Sequence, residues 1–424
     1  MSDGPLVDDA ERERISSTGL GETLFVEAGA GTGKTTQLVA RVINLVLEEG
    51  VPLRHLAAIT FTEAAGAELR DRIRQKLEEA VETLPEGPKR AAAELALTES
   101  DVAAIGTLHS FALRILGEHP LDVGLPPRLE VLDEVSSQLA FEDRWRSFVD
   151  DLYDDPECED LLLSARVLRL HIESGPGQAS LRDVATIFGD NWDRLPLDEP
   201  DPGPLPGLAW GLLDDAVAAV EALLPECAAP ATDKLFGRIT GVVLPEVRAV
   251  RTLGDRYRQL QVLEDRAGKW RRGAGGAKAN WPDIDIDTVK QAVDAVDDAA
   301  AAVRASAVDE VLRRLVTRLT RFTHDEAERR RHEGRLEFHD LLVLARELVR
   351  SSRRARHALH ERYQRLLLDE FQDTDPIQIE VATRIAAAVA DPGASQAGAW
   401  VDIEVEAGRL FFVGDPKQSI YPFR

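Results

Sequence analysis

At 424 residues with 44% hydrophobic side chains, the chain has room for two or three domains of roughly 100–200 residues, and wholesale disorder is excluded. Asp and Glu outnumber Lys and Arg by 75 to 51, and the net charge of −24 argues in bulk against a nucleic-acid partner, although a local basic track is enough for phosphate contacts. No apolar run reaches the roughly 18 residues of a membrane span, the acidic start 1–9 does not read as a signal peptide, and two cysteines, Cys158 and Cys227, exclude a disulfide scaffold and fit a reducing cytoplasm.

In chain order, residues 23–27 read as a short buried strand. The glycine loop Ala28-Gly29-Ala30-Gly31-Thr32-Gly33-Lys34-Thr35-Thr36 follows. A helix over 35–47 comes next, with Leu38, Val39, Val42, Leu45 and Val46 at helical spacing and Gly50 as its stop. Residues 56–61 form a second strand, after which Leu69, Ile73 and Leu77 line one face of a helix. Strands alternating with helices predict an α/β fold with a parallel sheet flanked by helices, whose ligands bind past the carboxyl ends of the strands.

From about 126 to 331 the pattern changes to alanine-rich helices, as at 214–224 and 288–312, with proline- and glycine-rich breaks at 196–207 and 267–276. This predicts an inserted, mainly helical domain over 126–333, between sheet-domain segments 1–125 and 334–424. Within it, Lys269-Trp270-Arg271-Arg272 with Lys278 and Trp281 reads as a flexible solvated loop, the other reading being contact with duplex DNA. Residues 334–342 read as a structural helix start. Two more strands follow, over 365–368 and 410–413, with a helix end and a loose loop over 385–399 between them.

Three segments carry chemistry. The glycine loop between a strand and a helix is a P-loop with Ala28 at its first glycine position: backbone N–H groups of Ala28 to Thr36 cradle a triphosphate, Lys34 reaches its β- and γ-phosphates, and the Thr35 hydroxyl ligates Mg²⁺. The strand 365–368 ends in Asp369 and Glu370, suited to Mg²⁺ binding and to accepting a proton from attacking water. The strand 410–413 leads into Gly414-Asp415-Pro416-Lys417-Gln418, with an amide at Gln418 able to bond a γ-phosphate. Tyr421, Phe423 and Arg424 stand close behind and are able to stack on bases, or to pack as a turn in the core.

Together Gly29–Thr35, Asp369-Glu370-Phe371-Gln372-Asp373-Thr374 and Gly414–Tyr421 resemble helicase motifs I, II and III of the UvrD-like superfamily. Thr60–Ala65 resembles motif Ia, and Gly106-Thr107-Leu108-His109-Ser110-Phe111 resembles motif Ib. Glu63, Gly414–Gln418, 128–134 and 334–342 look like the RecB/AddA branch.

The resemblance implies a RecA-like first motor domain that uses ATP and Mg²⁺, with Lys34, Glu370 and Gln418 as catalytic residues. It further implies single-stranded DNA contacts at Phe61, Thr62, Thr107, His109, Tyr421, Phe423 and Arg424; a packed or capping role is the other reading of His109. Movement 3′ to 5′ in repair or recombination at DNA ends, with other subunits of a helicase–nuclease complex as partners, is the expectation; a fragment or scaffold subunit that binds ATP and DNA without unwinding is the alternative. Two departures stand out. The family's adenine-reading glutamine falls at Glu11, a carboxylate that cannot donate. Motifs IV to VI do not appear before Arg424, so the 424-residue chain is expected not to separate strands.

Overall fold

The computed structural model describes residues 8–29, 31–173, 175, 178–197, 200–373, 375–387, 399–415 and 417. The chain falls into two compact units, one of Met1–Glu134 with Arg329–Arg424, the other of Val135–Glu328.

Among its described residues, the first unit holds the strands β1 (Leu24–Glu27), β2 (Leu56–Thr60), β3 (Ala104–Thr107), β4 (Glu130–Val131), β5 (Arg335–Leu336), β6 (Arg365–Leu368) and β7 (Leu410–Gly414). Five of them form one parallel sheet in the order β1-β7-β6-β2-β3. The four expected sheet strands are present, each within a residue of its expected ends. The fifth, β3, is carried by the segment that supplies Gly106 and Thr107. β2 and β3 are buried along their whole length, as parallel strands covered by helices on both faces should be. β1 pairs with β7, which comes last in the chain, whereas the chain passes from β1 directly to β2 on the far side of β6. The onward connections of the neighbours β6 and β2 leave in opposite directions, to β7 and to β3, and ligands in open α/β sheets bind past the carboxyl ends of the strands.

The helix Lys34–Leu47 buries Leu38, Val39, Val42, Leu45 and Val46, the five residues expected to form its apolar face. It also buries Arg41, which is 1% exposed. Among the described residues this guanidinium pairs with no carboxylate; it donates to the carbonyls of Ile15 (2.7 Å), Gly19 (3.0 Å), Leu20 (3.2 Å) and Glu22 (3.2 Å) and lies 4.7 Å from the centroid of the Phe411 ring. Burial lowers its pKa to about 10. Together with Asn44, which donates to the Ser16 carbonyl at 2.7 Å, it ties the segment before β1 to the helix after it.

The helix Glu63–Thr83 buries Leu69, Ile73 and Leu77 as expected and rests on β3 through Gly66. A Cβ on Gly66 would stand 2.9 Å from the Gly106 Cα, so helix and strand meet backbone to backbone.

The two segments that resembled the RecB/AddA branch, 128–134 and 334–342, pair with each other: Glu130 opposes Arg335 and Val131 opposes Leu336 in the β4–β5 ladder. The helix start at 334–342 is structural. Glu337 and Asp340 form a capping box for the helix Phe338–Ser351, and Asp340, 2% exposed, also accepts both arms of Arg330 at 2.7 and 2.8 Å.

The second unit is helical, with the helix Ile286–Glu333 beginning in it and ending in the first unit. Along this helix Val289–Ala307 join one apolar cluster, with Leu213, Val220, Val243, Leu260 and Leu263, while Val311–Leu319 join another, with Trp145, Leu152 and Leu161. The helix runs well past the expected 288–312, and the one expected at 214–224 spans Gly211–Leu223. The 269–281 patch corrects the expectation of a solvated loop. Trp270 and Trp281 are each 1% exposed within the first cluster. Arg271 pairs with Asp298 (2.6 Å) and Asp297 (3.4 Å), and Arg272 with Asp294 (3.4 Å). Acidic residues of the long helix pair with the patch's two arginines, Lys269 and Lys278 stay exposed, and the patch's aromatics serve the core.

Alanine at position 66 would gain about 1 kcal/mol of helix propensity, but the overlap with Gly106 costs about 1–3 kcal/mol, so the overlap wins. Urea unfolding of Gly66→Ala is expected to give a less stable protein than wild type; a more stable one would show that the helix and β3 do not meet at this point.

Candidate nucleotide site and strand-end surface

The loop after β1 begins with the Ala28 N–H bonded to the Gly414 carbonyl at 3.0 Å, which holds it against the end of β7. The Thr32 hydroxyl donates to the Gly29 carbonyl at 2.8 Å. Gly31 (φ 75°) and Gly33 (φ 86°) take left-handed backbone that a side chain would strain, and a Cβ on Gly31 would meet only open space. Gly33 caps the helix, and Lys34 is its first residue. The Lys34 side chain is 10% exposed; its Nζ lies 3.5 Å from Glu370 Oε2 and has no hydrogen-bond partner among the described residues. Thr35 is partly buried and Thr36 exposed in the same turn. Ala30 lies outside the described residues.

The opposing carboxylates come from β6. The Asp369 N–H still bonds the Ile59 carbonyl of β2 at 2.8 Å, and its Oδ1 accepts from the Glu370 N–H at 3.0 Å. Glu370 has φ 54°, a left-handed conformation that costs a non-glycine residue about 1–3 kcal/mol and that clusters at functional sites. Burial, then the neighbouring Glu370 charge, push the Asp369 carboxyl up to about 6, against the opposing pull of the Glu370 N–H and of Lys34.

Sequence reasoning gave no role to Gln372, yet it ties the site together. Its Nε2 donates to Glu370 Oε2 at 2.6 Å and its Oε1 accepts from the Asp415 N–H at 2.8 Å, joining the turn after β6 to the end of β7. At 414 a Cβ would stand 2.7 Å from Gln372 Oε1 and 3.2 Å from the Gln372 N, so a side chain there would push Gln372 out of this place. Its place two residues after Glu370, in a run otherwise acidic and aromatic, was the available signal. Gln418, Tyr421, Phe423 and Arg424 lie outside the described residues.

These residues fit a magnesium–triphosphate. A buried ammonium without an acceptor matches phosphate oxygens, and the loop above it is open. Among the described residues no three or more His, Cys, Asp or Glu side chains are grouped to hold a metal, but Mg²⁺ usually takes only one or two carboxylates and completes its shell with phosphates and water.

A second surface lies at the ends of β2 and β3, whose Thr60 and Thr107 are paired. Phe61 is partly exposed there. Thr62 caps the helix Glu63–Thr83, its hydroxyl accepting from the Ala65 N–H at 3.1 Å. Thr107 is buried; its hydroxyl donates to Glu63 Oε1 at 2.6 Å and accepts from the Ser110 N–H at 3.2 Å, capping the helix Leu108–Glu118. The hydroxyl of Thr107 is thus engaged on both sides, and it links the two segments instead of facing outward. His109 packs edge-on to the Phe338 ring at 5.3 Å, and burial holds its pKa below the usual imidazole value, so it is neutral at pH 7.

A glycine loop after β1, facing carboxylates at the end of β6, sets the class, and the family follows. The model of the UvrD/REP helicase N-terminal domain matches residues 8–424, and the chain belongs to that family. Among similar proteins is an ATP-dependent helicase/nuclease subunit of Ligilactobacillus salivarius, 25% identical over 466 residues, covering 100% of this chain and 35% of that protein. Proteins of the same name from Desulforudis audaxviator (26% over 460 residues; 95% and 35%) and Levilactobacillus brevis (27% over 457 residues; 95% and 34%) are similar too. The chain thus spans about a third of the length of the curated relatives it matches.

Because the fold raises the Asp369 pKa from 3.8 to about 6, it favours the protonated acid. The stability this group contributes is complete below pH 4 and is lost as pH rises through 6. Asn at this position keeps the acceptor for the Glu370 N–H and carries no charge. Without divalent cations, Asp369→Asn is expected to be more stable than wild type at pH 8, by up to about 2 kcal/mol, and equal to it near pH 4. Thermal melts across that range, run in EDTA, check this; no gain at pH 8 would contradict it.

Proposed function

We propose that this chain is the N-terminal, ATP-hydrolysing portion of a DNA helicase that moves along single-stranded DNA. The observation that carries the reading is the buried Lys34 ammonium facing Glu370 at 3.5 Å across the carboxyl ends of β1 and β6. Lys34 binds the β- and γ-phosphates, and the N–H groups from Ala28 to Thr36 cradle them. Thr35 and Asp369 hold Mg²⁺, which when bound neutralises charge on the phosphoryl oxygens. Glu370 takes the proton of the attacking water, and Gln372 fixes the orientation of its carboxylate by the 2.6 Å bond. Gln418 reads the terminal phosphate.

In this reading residues 1–125 and 334–424 form the first motor domain, and 126–333 are inserted in it. Single-stranded DNA runs over the ends of β2 and β3, where Phe61 and His109 offer rings and Thr62 a hydroxyl. Thr107 acts there by holding Glu63; Tyr421, Phe423 and Arg424 are further proposed DNA contacts. Movement is 3′ to 5′, the setting is repair or recombination at DNA ends in the cytoplasm, and other subunits of a helicase–nuclease complex are partners. The names of the similar proteins support the last point. A scaffold that had lost catalysis would have no need to keep both Lys34 and Glu370, and both are present.

In the full-length protein, Lys34→Ala is expected to lower DNA-stimulated ATP hydrolysis by about 100-fold or more while the fold remains intact by circular dichroism. Glu370→Gln is expected to lose turnover to a similar degree yet still bind ATP. DNA-stimulated hydrolysis persisting in Lys34→Ala would refute the assignment.

A further inference from the structure

We infer that Arg12 is a nucleotide contact whose guanidinium stacks on the base of a bound nucleoside triphosphate and reads its flat face instead of its edge. The inference deepens the proposed ATP site and rests on it.

Arg12 belongs to the short helix Asp9–Glu13, distant from the glycine loop along the chain but against it in the fold. Its Nη1 lies 3.6 Å from the point where a Cβ on Gly33 would stand, and the Thr36 Cβ lies 3.9 Å from the same point. At about 100° per residue, positions 33, 36 and 37 share one side of the helix start, whereas Lys34 and Thr35 point elsewhere. Lys34 faces Glu370, where the terminal phosphate belongs. The side carrying Gly33, Thr36 and Arg12 is therefore left for the other end of the nucleotide. The residues beside the guanidinium there, Gly33 and Thr36, are small.

The guanidinium is held in one orientation. Asp8 Oδ2 accepts from Arg12 Nε at 2.9 Å and lies 2.9 Å from Nη2, and this leaves the Nη1 edge toward the loop. The Ser16 hydroxyl donates to the Arg12 carbonyl at 2.9 Å. Arg41, through its four carbonyl bonds to residues 15–22, fixes the segment that follows to the helix carrying Gly33 and Thr36. A planar cation in that position attracts the π-face of any base, so it binds purines without telling them apart. Glu11, next to it, is a carboxylate that accepts hydrogen bonds and cannot donate at neutral pH.

The test measures binding of ATP, GTP and inorganic tripolyphosphate to the 424-residue chain in Mg²⁺ by calorimetry. Wild type is expected to hold ATP and GTP within about threefold of each other and both more tightly than tripolyphosphate. Arg12→Ala is expected to weaken both nucleotides about 5- to 20-fold and leave tripolyphosphate unchanged. Arg12→Lys, which keeps the charge and the Asp8 pair but not the plane, is expected to recover only part of the loss and guards against misfolding of the alanine variant. Equal weakening of tripolyphosphate would make Arg12 a phosphate contact and overturn the inference. Unchanged nucleotide affinity in both variants, or a preference of wild type for ATP over GTP beyond about tenfold, would overturn it too. Wild type that binds tripolyphosphate as tightly as either nucleotide overturns it while sparing the phosphate site; wild type that binds none of the three overturns the ATP reading itself.

Discussion

Lys34 and Glu370 face each other across the ends of two strands that are two places apart in the sheet and lie near opposite ends of the chain. A buried ammonium with no hydrogen-bond acceptor among the described residues is costly to keep, and the Glu370 carboxylate at 3.5 Å offsets its charge without satisfying its donors. The arrangement makes sense as a site waiting for an anion with several oxygens. Much of the first unit serves to hold these two groups in place. β7 lies between β1 and β6 and binds both loops, through the Gly414 carbonyl on one side and through Gln372 on the other. Strained backbone at Glu370 and left-handed glycines at 31 and 33 are concentrated at the same spot.

In the proposed reading, the same sheet end is where an acidic chain would meet DNA. The net charge of −24 is the excess left after many ion pairs cancel, and within the basic, aromatic stretch 269–281 Arg271 and Arg272 pair with Asp294, Asp297 and Asp298. What remains at the ends of β2 and β3 is a set of rings, helix caps and backbone groups. The Thr107–Glu63 bond couples the two helix starts there, so displacement of one segment is felt by the other. β2 also pairs with β6, whose last residue precedes Asp369, which gives the two surfaces a shared rigid element.

Sequence patterns exposed what depends on local order. The strands β1, β2, β6 and β7 are apolar runs closed at once by polar residues, and the helix Lys34–Leu47 carries an unbroken apolar face. β3 escaped notice as a strand because Ala-Ile-Gly-Thr has one strong strand former in four residues; it is a strand because Ala57–Thr60 give it a ladder. The β4–β5 pair has two residues a side and no period to read. Arg41 stood inside an apolar stripe, a signal that a partner was needed, but the carbonyls that cage it belong to a segment before β1 whose path no pattern gives. The tryptophans at 270 and 281 seemed exposed because their neighbours are charged, but acids of the long helix, together with Glu246, which accepts from Trp270 Nε1 at 2.8 Å, let the loop fold inward. Thr62 and Thr107 were read only as DNA contacts, and their capping was missed, although each stands just before a helix whose N–H three residues on bonds to its hydroxyl.

The most direct test of the account is a structure of this chain with Mg²⁺ and a non-hydrolysable ATP analogue. The account predicts the terminal phosphate seated between Lys34 and Glu370, with the ammonium bonded to phosphate oxygens and Mg²⁺ beside Thr35 and Asp369. A nucleotide bound elsewhere, with Lys34 still facing Glu370 and no phosphate between them, would contradict it.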